Sequence, residues 1–282
     1  MDTSAHDHEP APLPDDDALE VVMAARRVGH DLVDGLRQAL LDGWGRSRRR
    51  DKADGTPVTE VDLFADRVIV AGVREVFPSH AVVSEEGSTT WDGTEWTWVV
   101  DPIDGTTNYS AGLPYWATSI ALAHHGRVLW GMVDAPALDL RFDAVRGQGA
   151  TANGQAAWVA DEIDLTARSS RHSPLGVSAG TVRQVIEGTW FKPRILGAYA
   201  LDLALVADGT LVGAFTRVPK VWDVAAGMLL VTEAGGGVVT VGAERHLPLV
   251  ADTQLADRSV RTAAGPSAGW TARATERLWP LG

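Results

Sequence analysis

Segments with helical spacing and segments with strand spacing alternate along this chain, which predicts an α/β protein. Three observations carry that expectation. In residues 18–41, Val21, Val22, Ala25, Val28, Leu32, Leu36 and Leu40 recur at helical intervals and define an amphipathic helix. Residues 96–100, Trp-Thr-Trp-Val-Val, are apolar, aromatic or β-branched throughout, the composition of a buried strand. Residues 116–123 and 128–133 are two more strand-like runs, separated by His124-His125-Gly126-Arg127 as a hairpin.

The 282 residues are enough for one large domain or two small lobes sharing a core, and no repeat or linker divides them. Hydrophobic residues make up 45% and charged residues 22%, the balance of a globular protein at home in water. A net charge of −12 argues against a nucleic-acid backbone or an anionic membrane surface as partner. A protein this acidic also needs a cation if it is to handle a phosphorylated molecule. With no cysteine, disulfides, thiolate metal sites and cysteine nucleophiles are excluded, and a reducing cytoplasm is the expected setting. No apolar run approaches the ~20 residues of a membrane span, and the first residues lack the apolar segment of a signal peptide. The eleven tryptophans are scattered rather than periodic, so most of them read as packing.

In chain order, residues 1–17 hold three prolines and the acidic run Asp15-Asp16-Asp17, a disordered tail. After the first helix, Arg46, Arg48, Arg49 and Arg50 read as a solvated loop, with a dimer or phosphate contact as the alternative. Asp54-Gly55 marks a turn and Pro57 an extended segment. Thr59 or Asp62 then caps a helix through Leu63, Ala65, Val68, Ile69 and Val73 that ends near Phe77-Pro78. Residues 81–84 form a short strand closed by Glu85-Glu86-Gly87. The strand at 96–100 stops in Asp101-Pro102-Ile103-Asp104-Gly105, where proline fixes φ and glycine allows a tight turn, so two carboxylates sit on a rigid bend. Thr106, Thr107 and Asn108 are capping-type residues that open a helical turn whose N–H groups attract anions. Two carboxylates beside such a turn, with no lysine or arginine between them, call for a hard divalent cation such as Mg²⁺.

The histidine pair reads as solvent-exposed, having no third ligand in view. Residues 140–145 and 147–154 continue as antiparallel strands, 175–178 as a strand and 181–188 as a short helix. An apolar helix follows at 200–209. A second, rich in alanine and glycine, starts around Asp223 and ends in Gly235-Gly236-Gly237 before a strand at 238–241. A terminal helix is expected around 270–278.

The run Asp101-Pro102-Ile103-Asp104-Gly105-Thr106-Thr107-Asn108 resembles the Asp-Pro-aliphatic-Asp-Gly-Thr-x-Asn signature of the inositol monophosphatase family, Mg²⁺-dependent, lithium-sensitive phosphatases of sugar-like phosphates. Further stretches fall in the family's order. They are Val58-Thr59-Glu60-Val61-Asp62; Ser84-Glu85-Glu86-Gly87, with serine for the usual glycine; the glycine-rich hairpin ending in Asn153-Gly154; and Trp222-Asp223-Val224-Ala225-Ala226-Gly227. The segment 194–209 is similar to another family helix, with Ala198-Tyr199 where small hydroxyl and alanine residues are common. The resemblance covers about 18–241 and implies a sugar-phosphatase-like fold, a layered α/β sandwich of alternating helix and sheet layers. It implies one phosphatase domain over 18–282, with an N-terminal α+β portion to about 150 and a C-terminal α/β portion from 151, meeting at the site.

By that match Glu85, Asp101 and the Ile103 carbonyl hold a first Mg²⁺, and Asp101, Asp104 and Asp223 a second, with Glu85 serving a third, weaker ion. The N–H groups of Gly105 and Thr106 bind the substrate phosphate. Asp62 and Thr106 position and deprotonate the nucleophilic water, with help from Glu85; Glu86 stands behind it or at the surface. Tyr199 narrows the substrate pocket. Thr216, followed by Arg217, stands where inositol phosphatases carry a glutamate seven residues before the Trp-Asp aspartate. The expected activity is hydrolysis of a small phosphate monoester (inositol-1-phosphate-like, sugar or cyclitol phosphate) by a cytoplasmic homodimer using two or three Mg²⁺ ions. Histidinol phosphate and nucleotide 3′,5′-bisphosphates are alternative substrates, and a non-catalytic metal-binding interaction protein is the third reading.

Overall fold

Asp15 starts the first helix. Its carboxylate accepts the N–H of Ala18 at 2.8 Å, and Asp16 and Asp17 place negative charge in the first turn, where the helix dipole favours it. The acidic run expected in a tail therefore belongs to helix α1, Asp16–Gly43, a correction of that boundary. The computed structural model describes residues 14–52, 55–181, 191–241, 246–251 and 253–278. Most of the expected tail, Asp54 of the expected turn and nearly all of the expected 181–188 helix lie outside these residues.

Helix α1 buries Val22, Ala25, Gly29, Val33, Leu36 and Leu40 along one stripe. The arginines at 46 and 48–50 are exposed, and Arg50 enters a two-residue strand β1, Arg50–Asp51, paired with β2, Pro57–Val58. Thr59 caps helix α2, Glu60–Val76, whose buried face includes Ala65, Ile69 and Val73. Both helices lie on one face of a large sheet.

That sheet is laid down by β3 (Ala81–Ser84) and, after the short β4 (Thr90–Trp91), by β5 (Trp96–Asp104), β6 (Ala117–His124), β7 (Arg127–Ala135), β8 (Leu140–Val145), β9 (Ala150–Ala152) and β10 (Gln155–Ala157). Its order is β10-β9-β8-β7-β6-β5-β3, antiparallel except for β3 beside β5. Strand β5 does not stop at Val100 as its sequence led us to expect. Asp101 pairs with Ser119 and Asp104 with Ala117, so three steps on β5 match two on β6 across a bulge. Pro102 lacks an N–H for the ladder, and a bulge is where an inner strand tolerates that. In an unbroken strand residues three apart face opposite ways; the bulge re-aims one of them. The β6–β7 hairpin turns on His125 and Gly126, both at positive φ. His124 stacks on Trp96 at 4.1 Å, so it is not the solvent-exposed side chain expected.

The second sheet comprises β11 (Pro174–Val177), β12 (Lys192–Arg194), β13 (Gly213–Thr216), β14 (Gly237–Val241) and, after β15 (Thr253–Gln254), β16 (Arg261–Gly265), in the order β12-β11-β13-β16-β14. Strand β15 pairs with β4 and ties the two halves. Three more helices are α3 (Thr106–Ala111) after β5, then α4 (Tyr199–Ala207) and α5 (Val221–Glu233). The last helix, α6 (Ala268–Leu278), covers the outer face of the small sheet, where Trp270 and Ala274 pack with Leu175, Val177, Phe215 and Ala263. Helices α4 and α5 fill the space between the sheets. The layers thus run α1/α2, large sheet, α4/α5, small sheet, α6: the layered α/β sandwich expected. Among the described residues no helix is long and apolar enough to cross a membrane.

Side chains sort by strand parity. Trp98, Val100, Ile120, Leu122, Trp130 and Met132 join the core under α1 and α2. Val99, Ala121, Ala123 and Val133 join the core on the other face. The residues on this second face are small because α5 sits very close: a Cβ added at Gly131 would lie 2.8 Å from the Cα of Ala226. Helix α4 in turn needs Gly227, whose added Cβ would lie 2.6 Å from that of Leu203. Buried polar groups knit α1 to the sheet as well. Asp143 accepts Arg26 Nε at 2.7 Å, His30 Nε2 at 2.6 Å and Trp130 Nε1 at 3.0 Å.

Gly131→Ala should therefore destabilise the protein by about 1–3 kcal/mol, since overpacking a seam between backbones has no flexible side chain to relieve it. Calorimetry should record a fall in Tm of roughly 2–10 °C. Gly35→Ala, exposed in α1 with nothing near the added methyl, should leave Tm unchanged or raise it.

Candidate functional site

Three carboxylates meet where the bulge of β5 faces the start of α5. One oxygen each from Asp101, Asp104 and Asp223 lie within 4.8 Å of one another. Each is fixed by its own backbone partner. Asp101 accepts the N–H of Ile103 at 3.0 Å, which the bulge turns back toward it. Asp104 accepts the N–H of Ala200 at 2.6 Å and that of Tyr199, so it caps the N-terminus of α4. Asp223 accepts the N–H of Lys220 at 2.7 Å at the start of α5.

Their protonation reflects this crowding. Burial raises Asp101 well above the usual carboxylate range, and the charges of Glu85, Asp104 and Asp223 add to it. Burial likewise pushes Asp104 up to about 7, and burial and then Asp104 push up Asp223. Three like-charged groups this close ionise together only if a positive charge joins them. Three hard oxygen donors, with further carboxylates alongside, are the donor set a divalent cation of the Mg²⁺ type takes.

The remaining acids surround this triad. Glu85 follows β3, its N–H donating to the Val100 carbonyl at 3.2 Å, and it lies outside the close triad while adding to the field on Asp101. Lys52 reaches Glu85 at 2.9 Å and also pairs with Glu86. Burial works against the charge of Lys52, but the two glutamates hold its proton more firmly than usual. The Glu86 side chain is only 4% exposed and burial raises it to about 7, so it is not a surface residue. Lys52 had no motif to mark it; only its ion pairs with Glu85 and Glu86 in the folded chain bring it in.

Asp62 and Thr106 form one hydrogen-bonded unit. Asp62 lies in the first turn of α2, where Thr59 N–H donates to its Oδ2 at 3.0 Å and the Thr59 hydroxyl donates to the same oxygen. Its other oxygen accepts the Thr106 hydroxyl at 3.0 Å. That hydroxyl also lies 3.1 Å from the Ile103 carbonyl. Burial raises the pKa of Asp62 despite these donors. Thr106 begins α3, and the preceding Gly105 has φ 90°, a left-handed conformation only glycine adopts freely. A Cβ there would come within 3.2 Å of the Gly197 and Tyr115 carbonyls. Asn108 clamps the same neighbourhood, donating to the Tyr115 and Leu196 carbonyls at 2.7 Å each.

Two residues expected at the substrate stand differently from one another. Tyr199 packs in the core, and its hydroxyl donates to the Thr262 carbonyl at 3.0 Å. It meets the site through its backbone N–H on Asp104. Thr216 is buried at the end of β13, with Arg217 half-exposed after it. Asp202, which no motif reading placed in the site, is buried next to it, raised to about 7 by burial, and accepts the Tyr115 hydroxyl at 2.6 Å.

Comparison with known proteins shows what the chain as a whole is similar to. A family profile described as the inositol monophosphatase family matches residues 19–279. A Thermotoga maritima protein named fructose-1,6-bisphosphatase/inositol-1-monophosphatase is 35% identical over 215 residues, 76% of this chain and 80% of its own. The Nus factor SuhB of Escherichia coli strain K12 is 40% identical over 187 residues, 64% of this chain and 70% of its own. Among solved structures, a Thermotoga maritima IMPase superposes with a TM-score of 0.75 at 28% identity, covering 90% of this chain and 99% of its own.

The raised carboxyls have a consequence for stability. A carboxyl whose folded pKa exceeds its unfolded value stabilises the fold while protonated; that contribution is complete below about 3.8 and lost as pH rises through about 7, the value for Asp104. In chelator, Tm should therefore lose a component across this window, the loss should shrink in Asp223→Asn, and Mg²⁺ should restore Tm at the alkaline end. Melts in which Asp223→Asn follows the parent at every pH would contradict this.

Proposed function

This chain belongs to the inositol monophosphatase family, and from that premise we propose that its acidic cluster hydrolyses a small phosphate monoester with Mg²⁺ bound. The observation that carries the reading is the convergence of Asp101, Asp104 and Asp223 within 4.8 Å from segments far apart in sequence. Glu85, Asp101 and the Ile103 carbonyl would hold one ion, and Asp101, Asp104 and Asp223 a second. Such ions supply charge to the attacking and leaving oxygens and to the phosphoryl group between them.

The chain's own residues do the rest. The N–H groups of Gly105 and Thr106, at the turn into α3, orient the phosphate beside the cluster. The Thr106 hydroxyl, donating to Asp62 at 3.0 Å, is placed to pass a proton from the attacking water to that carboxylate. Asp62 is suited to receive it, since burial has already raised its proton affinity. Attack in line with the leaving oxygen releases inorganic phosphate and the free alcohol, without a covalent phosphoenzyme. Phosphate monoesters hydrolyse so slowly unaided that positioning and charge neutralisation must supply nearly all the acceleration.

For the substrate, the relatives named for inositol-1-monophosphate and fructose-1,6-bisphosphate support a sugar or cyclitol phosphate. Thr216 in place of an acidic partner for ring hydroxyls favours substrates other than myo-inositol 1-phosphate. Several relatives are named Nus factor SuhB, which supports a second reading in which the chain acts through a macromolecular partner.

A panel of myo-inositol 1-phosphate, fructose 1,6-bisphosphate, histidinol phosphate and a nucleotide 3′,5′-bisphosphate, with Mg²⁺ or chelator, decides between these readings. At least one should turn over, in Mg²⁺ only. Asp104→Asn and Asp223→Asn should each lower kcat/KM at least about 100-fold with the fold intact by circular dichroism. Full activity in those variants would falsify the assignment, and no turnover of any substrate would leave the partner reading in its place.

A further inference from the structure

The turn between β6 and β7 presents His124 and His125, and the fold sets Glu95, just before β5, against them. One ligand atom from each of the three lies within 4.8 Å of the others. Glu95 Oε1 is 3.0 Å from His124 Nε2 and 3.8 Å from His125 Nε2, so one carboxylate oxygen already lies between two imidazoles. The rings are 4.3 Å apart and tilted by 41°, a convergent rather than a stacked pair.

These side chains stand on fixed backbone. His125 N–H donates to the Glu95 carbonyl at 2.7 Å, and His124 pairs in register with Trp96. The His124 ring is held by stacking on Trp96 with 19° between their planes. His80 stacks on Trp96 as well, but its Nδ1 accepts the indole Nε1–H of Trp98 at 3.1 Å. Glu95 and His125 are 58% and 68% exposed, so an ion can reach the trio from solvent.

We propose that Glu95, His124 and His125 form a second metal site, selective for a borderline transition cation with Zn²⁺ foremost. Two imidazoles and one carboxylate are the ligands Zn²⁺ takes, leaving a fourth position for water, whereas Mg²⁺ prefers oxygen alone. The site is separate from the acidic cluster. Glu95 precedes β5 and Asp101 lies five residues beyond Trp96, about 16 Å along the strand. The hydrogen bond between Glu95 and His124 is the ion-free arrangement, and the cation takes its place.

The test is a calorimetric titration of Zn²⁺ into the full chain at neutral pH with millimolar Mg²⁺ present to occupy the acidic cluster. One Zn²⁺ per chain should bind with a dissociation constant on the order of micromolar. His125→Ala, at an exposed turn position, should weaken binding at least about tenfold, and the His124→Ala/His125→Ala double variant should abolish it. Co²⁺ should give a visible ligand-field spectrum in the parent that the double variant lacks. Mg²⁺-dependent phosphatase turnover should be unchanged in His125→Ala, which keeps this result apart from the fate of the catalytic proposal. Zn²⁺ binding that is equal in parent and double variant, or absent below millimolar concentration, overturns the proposal.

Discussion

The approach of α5 to the large sheet is the constraint on which the acidic cluster depends. Nothing electrostatic draws Asp223 toward Asp101 and Asp104; their charges repel. What brings them together is a seam of small residues, Ala121, Ala123 and Gly131 on the sheet against Ala225 and Ala226 on the helix, which lets the two backbones nearly touch. Apolar burial along that seam holds the start of the helix against the bulge. Three carboxylates are then kept in a place they would leave if free. The Ala225-Ala226-Gly227 run that follows Asp223 by two residues is thus part of the site's construction.

The bulge in β5 supplies the other half. An unbroken strand would direct Asp101 and Asp104 to opposite faces, and a break after Val100 would leave both on a loop. Inserting one residue within the strand gives two carboxylates on a rigid frame beside the buried Val100 and Ile103. Asp101, Asp104, Asp223 and Asp62 each bond at least one backbone N–H, so their oxygens keep place even while their mutual repulsion is unscreened.

Much of this was legible in the residue pattern, for definable reasons. The long amphipathic helix α1, the hairpin of β6 and β7 and the buried run of β5 have strong patterns, and local pattern decides them. The acids stood out because aspartate beside proline, glycine and threonine, or after tryptophan at a helix start, is a patterned arrangement. Pattern failed where the third dimension decides. Pro102 signals a strand end locally, yet a bulge accommodates it. The hydroxyl of Tyr199, at a helix start near the acids, bonds sheet carbonyls that no local pattern marks. Lys52 lies in unremarkable surroundings, Asp202 stands in a recognisable helix that gives no sign of its nearness to Asp104, and Glu95 gives no sign in sequence of the histidines it meets.

Asn108 joins two histories. Through one amide it grips the Tyr115 carbonyl, beside the acidic strand, and the Leu196 carbonyl, in the segment leading to α4. The grip is on main chain, so it is indifferent to which side chains that segment carries. Arg194 and Ile195, just upstream, are exposed, while the carbonyl that follows them is pinned. A clamp that ignores side chains therefore fixes where α4 begins, and with it the N–H groups of Tyr199 and Ala200 that hold Asp104.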